Sequence, residues 1–196
     1  MPYRRRRVAL GALGLLAACR SPEPDLYTIL PVPGTPRRGG PRGVSVRTVS
    51  LARYLDRLQI VRTTEDYRLA VSGNDWWGES LEAMLTRVLV ENLAQRLPES
   101  SVFATGGAIS SPAEAAVEVN VQRLGLSGPA TLALTAQVAV ANREAPRQDL
   151  VRTETLTSPV AGSDTPAFVA AASAAVGSLA DVLAGLLAAP APRGRR

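Results

Sequence analysis

Val117-Glu118-Val119-Asn120-Val121-Gln122 decides the fold of this 196-residue chain. Apolar and polar residues alternate, so a strand here buries one face and wets the other. Leu132, Leu134, Ala136, Val138 and Val140 repeat that period after a turn at Ser127-Gly128-Pro129. A third strand, Leu150 to Thr157, follows a break at Asn142 to Pro146. Three such strands in succession predict an antiparallel meander.

Helices are expected on both sides of it. Asn74 or Asp75 caps a helix running to about Leu97, where Leu81, Leu85, Val88, Leu89 and Leu93 keep helical spacing and Pro98 ends it. Thr165 followed by Pro166 starts another, continuing to about Ala189 through Phe168, Ala172, Val176, Leu179, Leu183 and Leu187. That second helix is almost free of charge. Asp181, Ser173, Ser178 and its many alanines favour burial against a sheet over a membrane span, which is the alternative. Leu26 to Leu30, Val44 to Leu51 and Ser101 to Ala104 read as further strands. Leu58 to Thr63 and Tyr67 to Val71 read as a pair joined around Thr64-Glu65-Asp66. The expected fold is α+β: a single domain over residues 26–189, with a largely antiparallel sheet packed by two main helices.

The amino end has a different grammar. Arg4 to Arg7 precede an apolar run from Val8, and Leu16-Ala17-Ala18-Cys19 closes it. A basic start, a short apolar core and small residues before a cleavage point make a secretory signal, here residues 1–18. The run is shorter than the ~20 residues of a spanning helix. Leucine and two small residues before the chain's sole cysteine resemble a bacterial lipobox, which implies acylation of Cys19; an ordinary signal with Cys19 as bystander is the alternative. Residues 19–25 then form a tether kept extended by Pro22 and Pro24, and residues 190–196 a basic, disordered tail.

Charge and composition exclude several functions. The chain carries 22 basic residues, all arginine, and 17 acids. Arg4 to Arg7 leave with the signal, so 18 bases face 17 acids and net charge offers no case for nucleic acid. There is no histidine and no lysine, which removes Ser-His, Cys-His and Ser-Lys nucleophiles. A transition-metal site would have to be built from carboxylates alone, so no metal and no cofactor are expected. Glu79 and Glu82 suit a helix start better than a paired acid and base. The chain is not expected to be an enzyme.

Arg53-Tyr54-Leu55-Asp56-Arg57-Leu58-Gln59-Ile60-Val61-Arg62 resembles the signature of the ABC-type transport auxiliary lipoproteins, the PqiC-like or YmbA-like family. There a YLDRPQIV stretch precedes a short strand pair and a tryptophan that opens a helix. Trp77-Gly78-Glu79-Ser80-Leu81 is similar to that opening, Arg87, Leu89, Asn92 and Leu93 to its continuation, and Phe168 to Leu187 to the alanine-rich end. Leu58 departs from the family's usual proline. The resemblance implies an outer-membrane, periplasm-facing lipoprotein that works with an ABC permease and a periplasmic MCE-domain protein in moving lipid between membranes. It implies docking without catalysis. A structural envelope lipoprotein that handles no lipid is the alternative. Phospholipid and a second copy of the chain are further candidate partners, and nucleic acid is not. The candidate partner-binding residues are Arg53, Tyr54, Asp56 and Arg57, together with Trp76 and Trp77, which at a helix start face different ways, one in the core and the other exposed or at an edge; both partly buried in a packed groove is the alternative. The plainer reading of the charged four is a solvated loop with weak ion pairs.

Overall fold

The computed structural model describes residues 23–63, 68–109, 111–142 and 150–188. Cys19, the signal, the basic tail, the Thr64-Glu65-Asp66 joint and most of the break before Leu150 lie outside the described residues.

The meander is present. Strands β7 (Ala115–Gly128), β8 (Thr131–Asn142) and β9 (Leu150–Pro159) pair antiparallel in chain order. Val117 faces Val140, Val119 faces Val138 and Val121 faces Ala136 on the buried side, while Asn120 faces Gln137 on the wet side. A register shift between Val121 and Arg123 then lets Leu124, three residues on, point inward again opposite Leu134. An inserted residue of this kind is what keeps one face apolar when the sequence period slips.

The rest of the sheets adds short parallel pairs to a largely antiparallel array, so the sheets are mixed. Five strands come earlier in the chain: β1 (Asp25–Tyr27), β2 (Gly43–Val46), β3 (Ser50–Leu51), β4 (Gln59–Thr63) and β5 (Leu69–Trp77). With β6 (Ser101–Ala104), β2 and β3 complete a six-stranded sheet ordered β6-β2-β7-β8-β9, β3 also lying on β7. The β2–β6, β2–β7 and β3–β7 pairs are parallel. Parallel strands need a long crossover, and the chain between β2 and β6 supplies one through a helix. The single strand expected over Val44 to Leu51 is thus two. Between them the amide of Val49 is bonded by Thr86 Oγ1 at 2.9 Å instead of by the ladder.

That helix, α1 (Leu81–Arg96), starts later than the expected Asn74 or Asp75. Ser80 caps it, accepting from the Ala83 amide at 3.3 Å, and Glu79 pairs with Arg87 at 2.7 Å. The preceding residues, through Trp77, are strand. Helix α2 (Thr165–Ala188) is long and apolar enough to cross a membrane, yet 67% of its most apolar stretch is buried. It packs on α1, β8 and β9, so it is a core helix. Its cap is Asp164, which accepts from the Ala167 amide at 3.0 Å, rather than Thr165.

Residues 28–38 follow the seam between the two helices. Their amides are bonded by helix side chains: Leu30 by Ser173 Oγ at 3.2 Å and Val32 by Asn92 Oδ1 at 2.8 Å. Pro31, Pro33 and Pro36 have no amide to satisfy. Arg96, 1% exposed, closes the seam by donating to Val32 O at 3.0 Å and to both carboxylate oxygens of Asp181 at 2.7 and 3.2 Å. The guanidinium lies where a Cβ on Gly34 would sit, so a side chain there would have to displace Arg96 from the seam.

Candidate functional site

Strands β1, β5 and β4 form a second, three-stranded sheet with β5 in the middle. β1 runs parallel to β5, and β4 antiparallel. Register sorts the tryptophans. Leu26, Trp76 and Gln59 lie abreast across the three strands and share the outward face. Trp77, next along, points inward and is 3% exposed, in the same core as Ile60 and Ile29. Trp77 is thus the core tryptophan and Trp76 a half-buried one on the other face, both on a strand and not on a helix. Trp76 is half-buried, its Nε1 enclosed without a hydrogen-bond partner among the described residues.

The signature stretch enters this sheet through a tight turn. Ala52 is held to β7 by its amide on Val121 O at 2.8 Å. The Leu55 amide then bonds Ala52 O at 2.9 Å, and the Arg57 amide bonds Leu55 O at 2.9 Å. Leu55 is buried in the core and fastens the turn. Arg53, Asp56 and Arg57 stand exposed, with Leu58 beside them. Tyr54 is half-buried and packs against the core, so it supports the turn more than it presents it. The Trp77 amide bonds Leu58 O at 2.7 Å, which brings the turn and the tryptophan pair to one end of the sheet.

A polar cluster that sequence reading missed ties this sheet to α2. Thr165 Oγ1 donates to Asp75 Oδ2 at 2.5 Å and accepts from Arg62 Nη2 at 2.7 Å. Arg62 also donates to Ser163 O at 2.9 Å and lies 5.3 Å from the centre of the Phe168 ring, a cation–π distance. Ser72 Oγ donates to Asp75 Oδ2 at 2.8 Å inside an irregular stretch of β5. Hydrogen bonds from Thr165 and then Ser72 hold the Asp75 carboxyl below its ordinary range; burial opposes them, and nearby Arg62 adds to them.

A group lowered in the folded state contributes stability above its unfolded pKa of about 3.9 and loses it as pH falls through the folded value. Asp75→Asn should therefore melt lower than the parent at pH 7, and the gap should close as acid takes the parent below about pH 4. Thermal unfolding across that range checks it. A gap that does not shrink would mean that the charge of Asp75 stabilises nothing.

Little else in the fold has chemistry. Among the described residues no group of three acidic, cysteine or histidine side chains could hold a metal ion. A void within the core has a volume of about 10 Å³ and a wholly aliphatic lining that includes Val49, Leu85, Leu89 and Val176.

Comparison with known proteins places this arrangement. No curated protein matches the sequence. A solved structure described as an uncharacterized protein superposes with a TM-score of 0.71 at 17% identity, covering 84% of this chain and 99% of that one. A Xanthomonas campestris protein of the DUF330 family superposes with a TM-score of 0.63 at 22% identity, over 83% of this chain and 94% of that one. At those identities the likeness is one of fold. In sequence, residues 27–184 match the model of the ABC-type transport auxiliary lipoprotein component, a span that takes in both sheets and nearly all of α2. The chain belongs to the ABC-type transport auxiliary lipoprotein family.

Proposed function

We propose that this auxiliary lipoprotein is the outer-membrane docking subunit of an MCE-type lipid transport system and carries out no catalysis. The observation that carries the reading is where the signature residues fall. Arg53, Asp56, Arg57 and Leu58 are exposed on a turn fastened by Leu55, at the end of the sheet that holds outward-facing Trp76. An aromatic rimmed by charged side chains has the composition of an interface hot spot. The aliphatic void beside Val49 and Leu85, about 10 Å³, is far smaller than the ~300–1,000 Å³ of a ligand cleft and is not itself a cargo site. Acyl chains on Cys19 supply the membrane end. Arg20, rather than an aspartate, follows that cysteine, which favours the inner leaflet of the outer membrane.

The test is affinity for the cognate periplasmic MCE-domain protein. Trp76→Ala combined with Arg57→Glu should weaken binding by about 30-fold, the equivalent of ~2 kcal/mol. Melting separates docking from folding. Trp76→Ala, which removes a half-buried side chain, should lower the melting temperature less than Trp77→Ala, which empties a core site and should cost about 3–5 kcal/mol. Unchanged affinity with unchanged melting would remove this edge as the docking surface.

A further inference from the structure

We infer that the Leu69–Val71 stretch of β5, at the end of the strand away from the Arg53 to Leu58 turn, is a membrane-contacting surface, seated in the headgroup layer of the bilayer that holds the Cys19 acyl chains. The inference rests on the acylation of Cys19 proposed above.

Strand direction is the first support. β1 begins at Asp25 opposite Asp75 and runs parallel to β5, so the chain before it leads back beside β5 toward Leu69, away from the docking turn. Asn74 Nδ2 donates to Glu23 O at 3.2 Å and fixes that exit. Cys19 precedes Glu23 by four residues, a reach of about 14 Å when fully extended. The bilayer must therefore lie within that distance of the exit.

The second support is what the hairpin presents there. Val71 lies opposite Val61 and Leu69 opposite Thr63; Val71 and Leu69 are 46% and 48% exposed, whereas Val61 is buried. β1 pairs only with Asp75, Trp76 and Trp77, so it leaves the Leu69–Val71 stretch of β5 uncovered on that side. Glu23 and Asp25 at the exit oppose an anionic surface and favour a zwitterionic one. The third support is the division of labour. With membrane at one end of β5 and the Arg53 to Leu58 turn at the other, nine residues span about 30 Å at most, and both ends can be engaged at once.

The test uses the acylated full chain reconstituted in vesicles of phosphatidylcholine and phosphatidylethanolamine. A nitroxide is attached at Val71→Cys, or at Gln137→Cys on the wet face of β8 as a control. Collision with a water-soluble nickel complex should be several-fold lower at 71 than at 137, and collision with oxygen higher at 71. Equal access of nickel to both sites on acylated protein would overturn the inference while leaving the anchor intact. Protection at 71 that persists in detergent-free protein without vesicles would show a second copy covering the face, and would also overturn it. An unmutated chain whose Cys19 still accepts the nitroxide would overturn the acylation reading, and the inference with it.

Discussion

Arg96→Ala is expected to lower the unfolding free energy by about 3 kcal/mol, the range for breaking a buried ion pair from one side. Three effects combine. The substitution removes a side chain with 1% exposure and leaves a cavity at the end of α1. It strips Val32 O of its donor inside the helix seam, where an unmet carbonyl is costly. It also unpairs Asp181, although that carboxylate is 45% exposed and rehydrates, which keeps the loss toward the lower end of the range. Urea unfolding with an unchanged slope would read the loss directly. Gly34→Ala should destabilise the same seam from the other side, because its methyl would occupy the guanidinium's place. A loss below about 1 kcal/mol for Arg96→Ala would mean that the seam relaxes around the gap and that the pair is dispensable.

Cys19→Ser should move the protein from the membrane fraction to the soluble one. The largest effect on location comes from one atom because nothing else in the described domain replaces it. α2, the one described helix with enough apolar length to span, is committed to the core. A single acyl chain gives only marginal binding, so stable retention requires the multiply acylated cysteine. Growth with a radioactive fatty acid tests the claim at the residue itself. Label that survives in Cys19→Ser, or protein that stays with the membrane without label, would contradict it.

The parts of the fold legible in sequence are those whose causes are local. Ser101 to Ala104 and the core of the meander follow from alternation within a few residues, and α2 from a long apolar run opened by Pro166. The parts that were not legible depend on distant partners. Asn74 to Trp77 reads as a helix entrance, yet Asp25 to Tyr27, about fifty positions away in sequence, holds Asp75 to Trp77 as a strand by pairing with them. Val44 to Leu51 reads as one strand, and a hydroxyl from α1 splits it. The turn from Arg53 to Leu58 stands out only through its family signature, since exposed arginines and an aspartate look like any solvated loop. Arg62, Asp75 and Thr165 escaped notice because their hydrogen bonds join three separate segments. Asp181 did carry a signal. A lone acid on an otherwise uncharged helix, with no partner within reach on that helix, points to a cation elsewhere, and that cation is Arg96.

The central claim is that the turn bearing Arg53, Asp56 and Arg57 meets a periplasmic MCE-domain protein while Cys19 holds the chain in the outer membrane. Its most direct test is a photo-crosslinking residue placed at Arg57 of the acylated full chain in living cells, with Gln137 as the comparison site. The account predicts a crosslink from position 57 to the MCE-domain protein and none from 137. Crosslinks to that protein from 137 and not from 57, or none from either site with the complex intact, would contradict it.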